Sequence, residues 1–144
     1  MKFSYFKFPL SARSEFFGSS ILKPIIPIEL VGEADAFRYD ALIDSGADFC
    51  IFDATIGETL GFDVRSGKVE RFGGIQEAYA SSAYFQEITM VIGGWKYRTT
   101  VGFSYDIARH GYGILGQKGF FDIFTVKFNY SKEEIELKES MKSQ

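Results

Sequence analysis

The chain has 144 residues and a formal net charge of -3, a length typical of one domain that buries about two-thirds of its unfolded surface. Aromatic residues make up 17% of it, and 15 Gly stand beside only 3 Pro, which favours a β-rich fold with many tight turns. Lys and Arg are dispersed along the sequence rather than gathered in a basic stripe, so nucleic acid is not an expected partner.

The chain has a single cysteine, Cys50, and a single histidine, His110. One cysteine forms no disulfide within the chain, and so few Cys and His side chains exclude the usual zinc sites. We therefore expect no metal and no cofactor. Met1–Leu10 lacks the continuous apolar stretch of a signal peptide, and no apolar run approaches membrane-spanning length. The expectation is a soluble protein in a reducing compartment, such as the cytoplasm, with no membrane partner.

Three segments are distinguished along the chain. Residues 1–22 mix Phe with Ser and Gly and are interpreted as an N-terminal arm, which serves as a pro-segment, a dimer arm or a lid. Residues 23–139 form the predicted domain, and residues 140–144 are a polar tail that is expected to fray.

Strands dominate the predicted domain, so the expected class is all-β. The first strand is entered through Pro24 and Pro27, which argues for an edge position in the sheet. The others follow from alternation of apolar and polar residues or from short apolar runs bounded by turn residues. The predicted strands are Ile25–Val31, Phe37–Ile43, Phe49–Phe52, Val69–Phe72, Glu77–Phe85, Ile88–Ile92, Trp95–Val101, Ile114–Leu115, Phe124–Phe128 and Ile135–Leu137.

One or two short helices are expected between the strands. Asp53 is placed to cap a helix that runs to Leu60, with Gly61 just past its end. A second helix of one or two turns is expected over Gln117–Asp122. The pair Gly93-Gly94 predicts a two-residue hairpin turn.

The segment Leu42–Ala47, with the sequence Leu-Ile-Asp-Ser-Gly-Ala, places the carboxylate of Asp44 where an apolar strand ends. Burying a lone charge is costly, so an acid in this position indicates a use. Gly46 permits a sharp turn that brings its N–H toward the acid, and the hydroxyl of Ser45 can hold a neighbouring backbone group. Taken alone, Asp-Ser-Gly is also a common turn cap.

A second glycine-flanked apolar pair, Ile114-Leu115-Gly116, follows later in the chain. Together the two segments resemble the signatures of the retropepsin-like aspartic proteases, and the resemblance extends over roughly residues 25–137. It implies a retropepsin-like closed β-barrel, half of an acid protease, in which Ile114, Leu115 and Gly116 support the active-site loop together with Ser45 and Gly46. The residues after Gly116, Gln117 and Lys118, depart from the family pattern, which usually supplies an ion pair here.

The resemblance implies an aspartic endopeptidase that hydrolyses polypeptide. In this chemistry two neighbouring carboxylates share one proton, and one activates a water while the other donates to the substrate carbonyl. The chain has only one such motif, at Asp44, because Asp40, Asp48, Asp53 and Asp106 lie in unlike contexts. A homodimer that brings Asp44 from each chain together across a two-fold axis is therefore expected, with no covalent intermediate and with activity favoured at acidic pH.

A mobile cover over the substrate is expected at the tip of the hairpin after Val69. Its candidate residues are Gly73, Gly74 and Ile75, because glycines let the tip move and let backbone approach a substrate closely. An ordinary Gly-Gly hairpin turn is the alternative.

Two further features bear on substrate and assembly. Ala47 and Asp48 follow the active-site turn and are expected to face substrate, with Asp48 either binding its backbone or simply solvated. The specificity pockets are expected to be apolar. The terminal hairpin, Phe124–Leu137, either joins a sheet shared by two chains, as the resemblance implies, or completes this chain's own barrel.

Three other functions would use other features of the chain. A Ser-His-Asp hydrolase would need His110 as its base, but the chain has no Gly-x-Ser-x-Gly elbow. A thiol protease would need Cys50, which lies between Phe49 and Ile51 and is predicted to be core. The stronger alternative is a non-catalytic module with the retropepsin-like fold that dimerises and binds peptides without cutting them.

Overall fold

The structure, a computed structural model, describes residues 1–72, 81–107 and 111–140. Strands dominate these residues, beside one α-helix, α1 (Ala54–Thr59), and one 3-10 turn (Val64–Ser66). The strands are β1 (Lys2–Ser4), β2 (Phe6–Ser14), β3 (Gly18–Lys23), β4 (Ile25–Val31), β5 (Ala36–Ile43), β6 (Ile51–Asp53), β7 (Lys68–Phe72), β8 (Ser81–Ile92), β9 (Trp95–Ser104), β10 (Gly113–Leu115), β11 (Phe124–Asn129) and β12 (Glu134–Glu139).

The largest sheet is a closed barrel. Its seven strands run in the order β4-β5-β10-β6-β9-β8-β7, and β4 also pairs with β8, so that six strands close on themselves and β7 extends outside the ring. Closure removes most of the unpaired sheet edges. The interior is filled by aromatic and branched side chains such as Phe52, Phe103 and Leu115, each 0% exposed. The predicted all-β barrel is confirmed.

The predicted edge position of β4 is wrong for half of the strand. β4 pairs with β5 along its whole length, and its residues Glu29–Val31 pair with β8 as well. The half that contains Pro27 has β5 as its single neighbour in the described residues. Ile43 N donates to Pro24 O at 2.9 Å, which makes Pro24 and Ile43 a hydrogen-bonded pair. Hydrogen-bonded and non-hydrogen-bonded pairs alternate along an antiparallel ladder, so Pro27, three residues on, lies in a non-hydrogen-bonded pair. The missing N–H of Pro27 therefore interrupts no ladder bond.

Helix α1 confirms the predicted cap. The side chain of Asp53 accepts hydrogen bonds from Thr55 N at 2.9 Å and from Thr55 Oγ1 at 2.8 Å. Leu60 ends the helix, and Gly61 follows in the left-handed region with φ 96°, which glycine adopts without steric cost. Among the described residues, no helix is long and apolar enough to span a membrane.

The second predicted helix, over Gln117–Asp122, is wrong. The segment forms turns instead: Lys118 makes a parallel bridge with Phe49, and Gly119 has φ 104°. A bridge to a neighbouring segment requires extended backbone, and a left-handed residue directly after it interrupts a helix. A tertiary contact thus overrides the local helical pattern.

The termini form a separate three-stranded sheet in the order β1-β12-β11. Met1 and Leu137 exchange two bonds: Met1 N donates to Leu137 O at 3.0 Å, and Leu137 N donates to Met1 O at 2.8 Å. Ile135, Leu137 and Phe124 are at most 1% exposed and join the main core. The terminal hairpin therefore pairs with β1 and packs on this chain's own core, and it does not extend the barrel sheet as one of the two expectations had it.

Residues 1–22, interpreted as an arm, contain β1, β2 and most of β3. The β2–β3 hairpin forms a two-stranded sheet of its own. Its tip presents Phe16 and Phe17, which are 87% and 49% exposed, above a turn in which Ser14 Oγ accepts from the backbone N–H groups of both. The base of the hairpin runs through Lys23 and Pro24 into β4, next to the end of β5.

Truncation of a terminal-sheet residue tests whether this sheet belongs to the core of the single chain. Ile135→Ala should lower the free energy of unfolding by about 2–5 kcal/mol, because it leaves a cavity among buried side chains. Val69→Ala is the control, since Val69 is 54% exposed and its truncation should cost less than about 0.5 kcal/mol. Urea unfolding of both variants measures this, and equal costs would contradict the packing.

Candidate active site

The carboxylate of Asp44 lies at a tightly held turn at the end of β5. Asp44 N donates to Leu115 O at 2.9 Å, and Ala47 N closes the turn onto Asp44 O at 3.1 Å. Asp44 Oδ1 accepts from Gly46 N at 2.9 Å, while Oδ2 makes no hydrogen bond within the described part of the chain. The side chain is half-buried. One oxygen is thus oriented by the backbone and the other is left for another partner.

Strand β10 fixes both ends of the turn, because it lies between the strand that enters the turn and the strand that leaves it. Leu115 pairs with Ile43 of β5 in parallel register, and Ile114 pairs both with Leu42 of β5 and with Ile51 of β6. Leu115 is 0% exposed. The structure therefore brings the two predicted segments together.

Gly116 lies where two backbones approach too closely for any side chain. A Cβ atom on Gly116 would stand 2.3 Å from Phe49 O and 2.8 Å from Ala47 O. Contacts below about 3 Å do not occur between unstrained carbon and oxygen atoms, so a larger residue would push the turn away. The glycine of this apolar-apolar-Gly element is therefore required by packing against the loop that carries Asp44.

Gln117 is a site residue that the sequence indicated only as a departure from the family pattern. Its backbone N donates to Ala47 O at 2.8 Å, and its side-chain Nε2 donates to Ser45 O at 2.8 Å. The next residue, Lys118, also bonds to the loop, because its backbone N donates a hydrogen bond to Asp48 O at 2.9 Å. A neutral amide thus holds the Asp44 loop at the place where the family pattern implies an ion pair.

Ser45 and Gly46 form the exposed outer part of the turn. The Ser45 hydroxyl makes no hydrogen bond within the part of the chain that the structure describes. A Cβ on Gly46 would lie 3.2 Å from Asp44 Oδ1, a distance that crowds the carboxylate. Gly46 therefore leaves room for the bond between its own N–H and Asp44.

The predicted cover residues Gly73, Gly74 and Ile75 lie outside the described residues. The strands on either side of them are described, and the last pair of the ladder is Phe72 opposite Ser81.

Asp48 is exposed and lines a cavity of about 510 Å³ together with Phe49, while Ala47 beside it is half-buried. Phe49 and Phe85 form one side of this cavity, with ring centroids 4.9 Å apart. The cavity thus begins where the active-site turn ends.

The remaining candidate groups have structural roles or lie elsewhere. Asp53 caps α1, and Asp106 Oδ2 accepts from Ser82 N at 3.1 Å. Cys50 is 0% exposed, and burial raises the pKa of its thiol to about 12, so it remains protonated at neutral pH and is unsuited to nucleophilic attack. His110 lies outside the described residues. Among the described residues, no group of three Asp, Glu, His or Cys side chains is placed to hold a metal ion.

Comparisons with known proteins identify the fold. No family model and no curated protein matches the chain. Among solved structures it is similar to a retropepsin-like aspartic protease from Rickettsia conorii, with 16% identity and a TM-score of 0.57 over 95% of this chain and 89% of that one. It is also similar to the EIAV protease complexed with the inhibitor HBY-793, with 17% identity and a TM-score of 0.45 over 66% of this chain and 82% of that one. The Rickettsia likeness shows that the chain has the retropepsin-like fold.

Replacement of Gly116 tests the backbone contact under the active-site turn. Gly116→Ala should lower the free energy of unfolding by about 3 kcal/mol or more, because the added Cβ meets backbone that cannot rotate away. The control is Gly94→Ala, which has φ 85° and open space around it, so only the left-handed backbone costs about 1–2 kcal/mol. If urea unfolding shows the Gly116 variant to be as stable as the Gly94 variant, the close approach is not present in solution.

Proposed function

We propose that the chain is an aspartic endopeptidase that acts as a homodimer on extended polypeptides. The observation that carries the proposal is the state of the Asp44 carboxyl: half-buried, oriented through Oδ1 by the Gly46 N–H, and without an intrachain partner at Oδ2 in the described residues. The retropepsin-like barrel supplies this setting, and the sequence around the acid is the one that the resemblance requires.

Hydrolysis needs a second carboxyl that carries a proton when the first does not. The ionised carboxylate takes a proton from a water, whose oxygen attacks the carbonyl carbon of the scissile bond, and the protonated carboxyl donates to the carbonyl oxygen. The resulting diol collapses when the amide nitrogen receives a proton and the C–N bond breaks. No metal and no covalent enzyme intermediate takes part.

The second carboxyl in this proposal is Asp44 of another copy. Asp53 and Asp106 are bound to Thr55 and Ser82 in this chain, which leaves the motif at Asp44 without a counterpart of its own. A two-fold axis beside the turn would bring the two Oδ2 atoms together and share one proton between them. The free hydroxyl of Ser45 is proposed to bind the turn of the partner copy.

Substrate is proposed to lie across the turn in extended form. The exposed Asp48 carboxylate would accept from a substrate backbone N–H, with Ala47 beneath the chain. Gly73, Gly74 and Ile75 are proposed as the cover that closes over it, since β7 and β8 lead toward this end of the barrel.

Removal of the proposed catalytic carboxylate tests the activity. Asp44→Asn should reduce cleavage of an unfolded, Phe- and Leu-rich protein at acidic pH by at least about 10²–10⁴-fold, the usual contribution of general acid–base groups. Asp40→Asn is the matched control, because Asp40 is exposed on β5 and its replacement should leave the rate within about twofold.

Three outcomes would reject the proposal. Equal cleavage by the wild-type protein and by Asp44→Asn would show that Asp44 is not the catalyst. Peptide binding without cleavage by either protein would instead indicate the non-catalytic module. In an active preparation, a rate that rises steadily toward alkaline pH would exclude a pair that must keep one proton.

Mixing two variants tests whether the site is shared between chains. Wild-type protein exchanged with a threefold excess of Asp44→Asn should lose most of its activity, since most wild-type chains then pair with a chain that lacks the carboxylate. An equal excess of Asp40→Asn is the control and should not inhibit. The Asp40→Asn chains are active themselves and should add to the total rate. Activity of the Asp44→Asn mixture that stays equal to that of its wild-type chains alone would place the whole site within one chain.

A further inference from the structure

The cavity beside the active-site turn carries more charge than an apolar specificity pocket. Its charged lining consists of three cationic residues, Lys68, Arg71 and Lys118, and two acidic residues, Asp48 and Glu70. This lining differs from the apolar pockets that the sequence led us to expect. We propose that the cavity is a substrate subsite that selects a glutamate side chain, a specificity that rests on the proposed peptidase function.

The cations around the cavity are available to bind a ligand. The ion pairs within the described residues are Lys7–Glu133 and Arg98–Glu87, and both lie away from the cavity lining. Lys68, Arg71 and Lys118 are exposed and make no side-chain hydrogen bond to another described residue. They therefore face the cavity without a counterion among the described residues and can bind an anionic group of a ligand.

The described lining of the cavity carries a positive charge excess, opposite in sign to the net charge of the chain. The chain as a whole is acidic, with 16 Lys and Arg against 19 Asp and Glu, whereas cations outnumber acids among the described residues that line the cavity. Once Asp48 is engaged with substrate backbone, three described cations remain against one described acid, Glu70. A local excess of this kind attracts an anionic group in preference to a neutral one.

The volume of the cavity and its wall of Phe side chains suit a glutamate side chain. The cavity measures about 510 Å³, within the range of about 300–1,000 Å³ that binding pockets occupy. Phe49 packs edge-on against Phe85 and Phe72, with centroid distances of 4.9 and 5.7 Å. This wall suits the methylene groups of a glutamate, while the cations at the rim meet its carboxylate.

The position of Lys118 ties this charge to the active site. Lys118 N donates to Asp48 O at 2.9 Å, and Cys50 N donates to Lys118 O at 3.2 Å. Lys118 therefore belongs to the same series of backbone hydrogen bonds that holds the Asp44 turn. A side chain bound beside it belongs to a substrate residue close to the scissile bond.

Binding to the inactive protein tests the subsite without requiring cleavage. Fluorescent peptides built around a central Phe-Leu pair, each with one Glu or the isosteric Gln moved along the flanking positions, would be titrated against Asp44→Asn at pH 6, where a glutamate with its ordinary pKa of about 4.3 is ionised. At one position Glu should bind at least about threefold more tightly than Gln. The preference should disappear at pH 3, where the glutamate is protonated.

A matched pair of charge reversals locates the preference. Lys118→Glu, added to Asp44→Asn, should abolish or reverse the preference for Glu, whereas Lys96→Glu, an exposed position on β9 outside the cavity, should retain it. Absence of a Glu preference at every position, a preference unchanged by Lys118→Glu, or failure of every peptide to bind would overturn the subsite.

Cleavage of the same peptides by the wild-type protein separates the two proposals. Peptides that bind with the predicted preference but are not cut would reject the peptidase and leave the subsite intact. Peptides that are cut with equal kcat/KM for Glu and Gln at every position would reject the subsite and leave the peptidase intact.

Discussion

The close approach of two backbones at Gly116 is the constraint on which the candidate site depends. The loop that carries Asp44 rests directly on this glycine, and the row of hydrogen bonds from Leu115 to Lys118 binds the loop along its length. Backbone bonds of this kind leave little freedom for the turn, because each one fixes a donor and an acceptor in the barrel wall. The orientation of the carboxylate follows from the barrel rather than from side-chain packing around the acid.

The same arrangement supports the proposal that the site is shared by two chains. The barrel satisfies one oxygen of Asp44 through the Gly46 N–H and leaves the other open at a half-buried position. A half-buried carboxylate is costly unless a partner or solvent compensates for its charge. The proposed dimer removes this cost by letting two such groups share a proton, so catalysis and assembly depend on one interaction.

The elements predicted correctly from the sequence are those whose structure depends on residues close together in the chain. The Asp53 cap, the end of α1 at Gly61 and the strand before Asp44 follow from local pattern and appear as expected. The errors came from contacts between distant segments. The helix predicted over Gln117–Asp122 is absent, because Lys118 bridges to Phe49 and Gly119 is left-handed. Such pairings depend on register in the folded barrel, which local periodicity does not encode.

Only part of the site could be predicted from the sequence, because the rest depends on contacts between distant segments. The sequence motifs around Asp44 and Gly116 pointed to the two segments that meet, but the amide of Gln117 on Ser45 O and the cations around the cavity follow from the fold alone. A side chain that supports a loop through a single backbone bond has no periodic or compositional signature. The charged residues of β7 and of the turn after β10 come close together only when the barrel closes.

In the proposed dimer, one active site is made from two chains. Calorimetric titration with a peptide in which the scissile amide is replaced by a secondary alcohol, which stands in for the attacking water, measures this directly. We expect saturation at one inhibitor for every two chains, with Asp44→Asn showing greatly weakened binding. Saturation at one inhibitor per chain, with binding unaffected by Asp44→Asn, would contradict the proposed dimer.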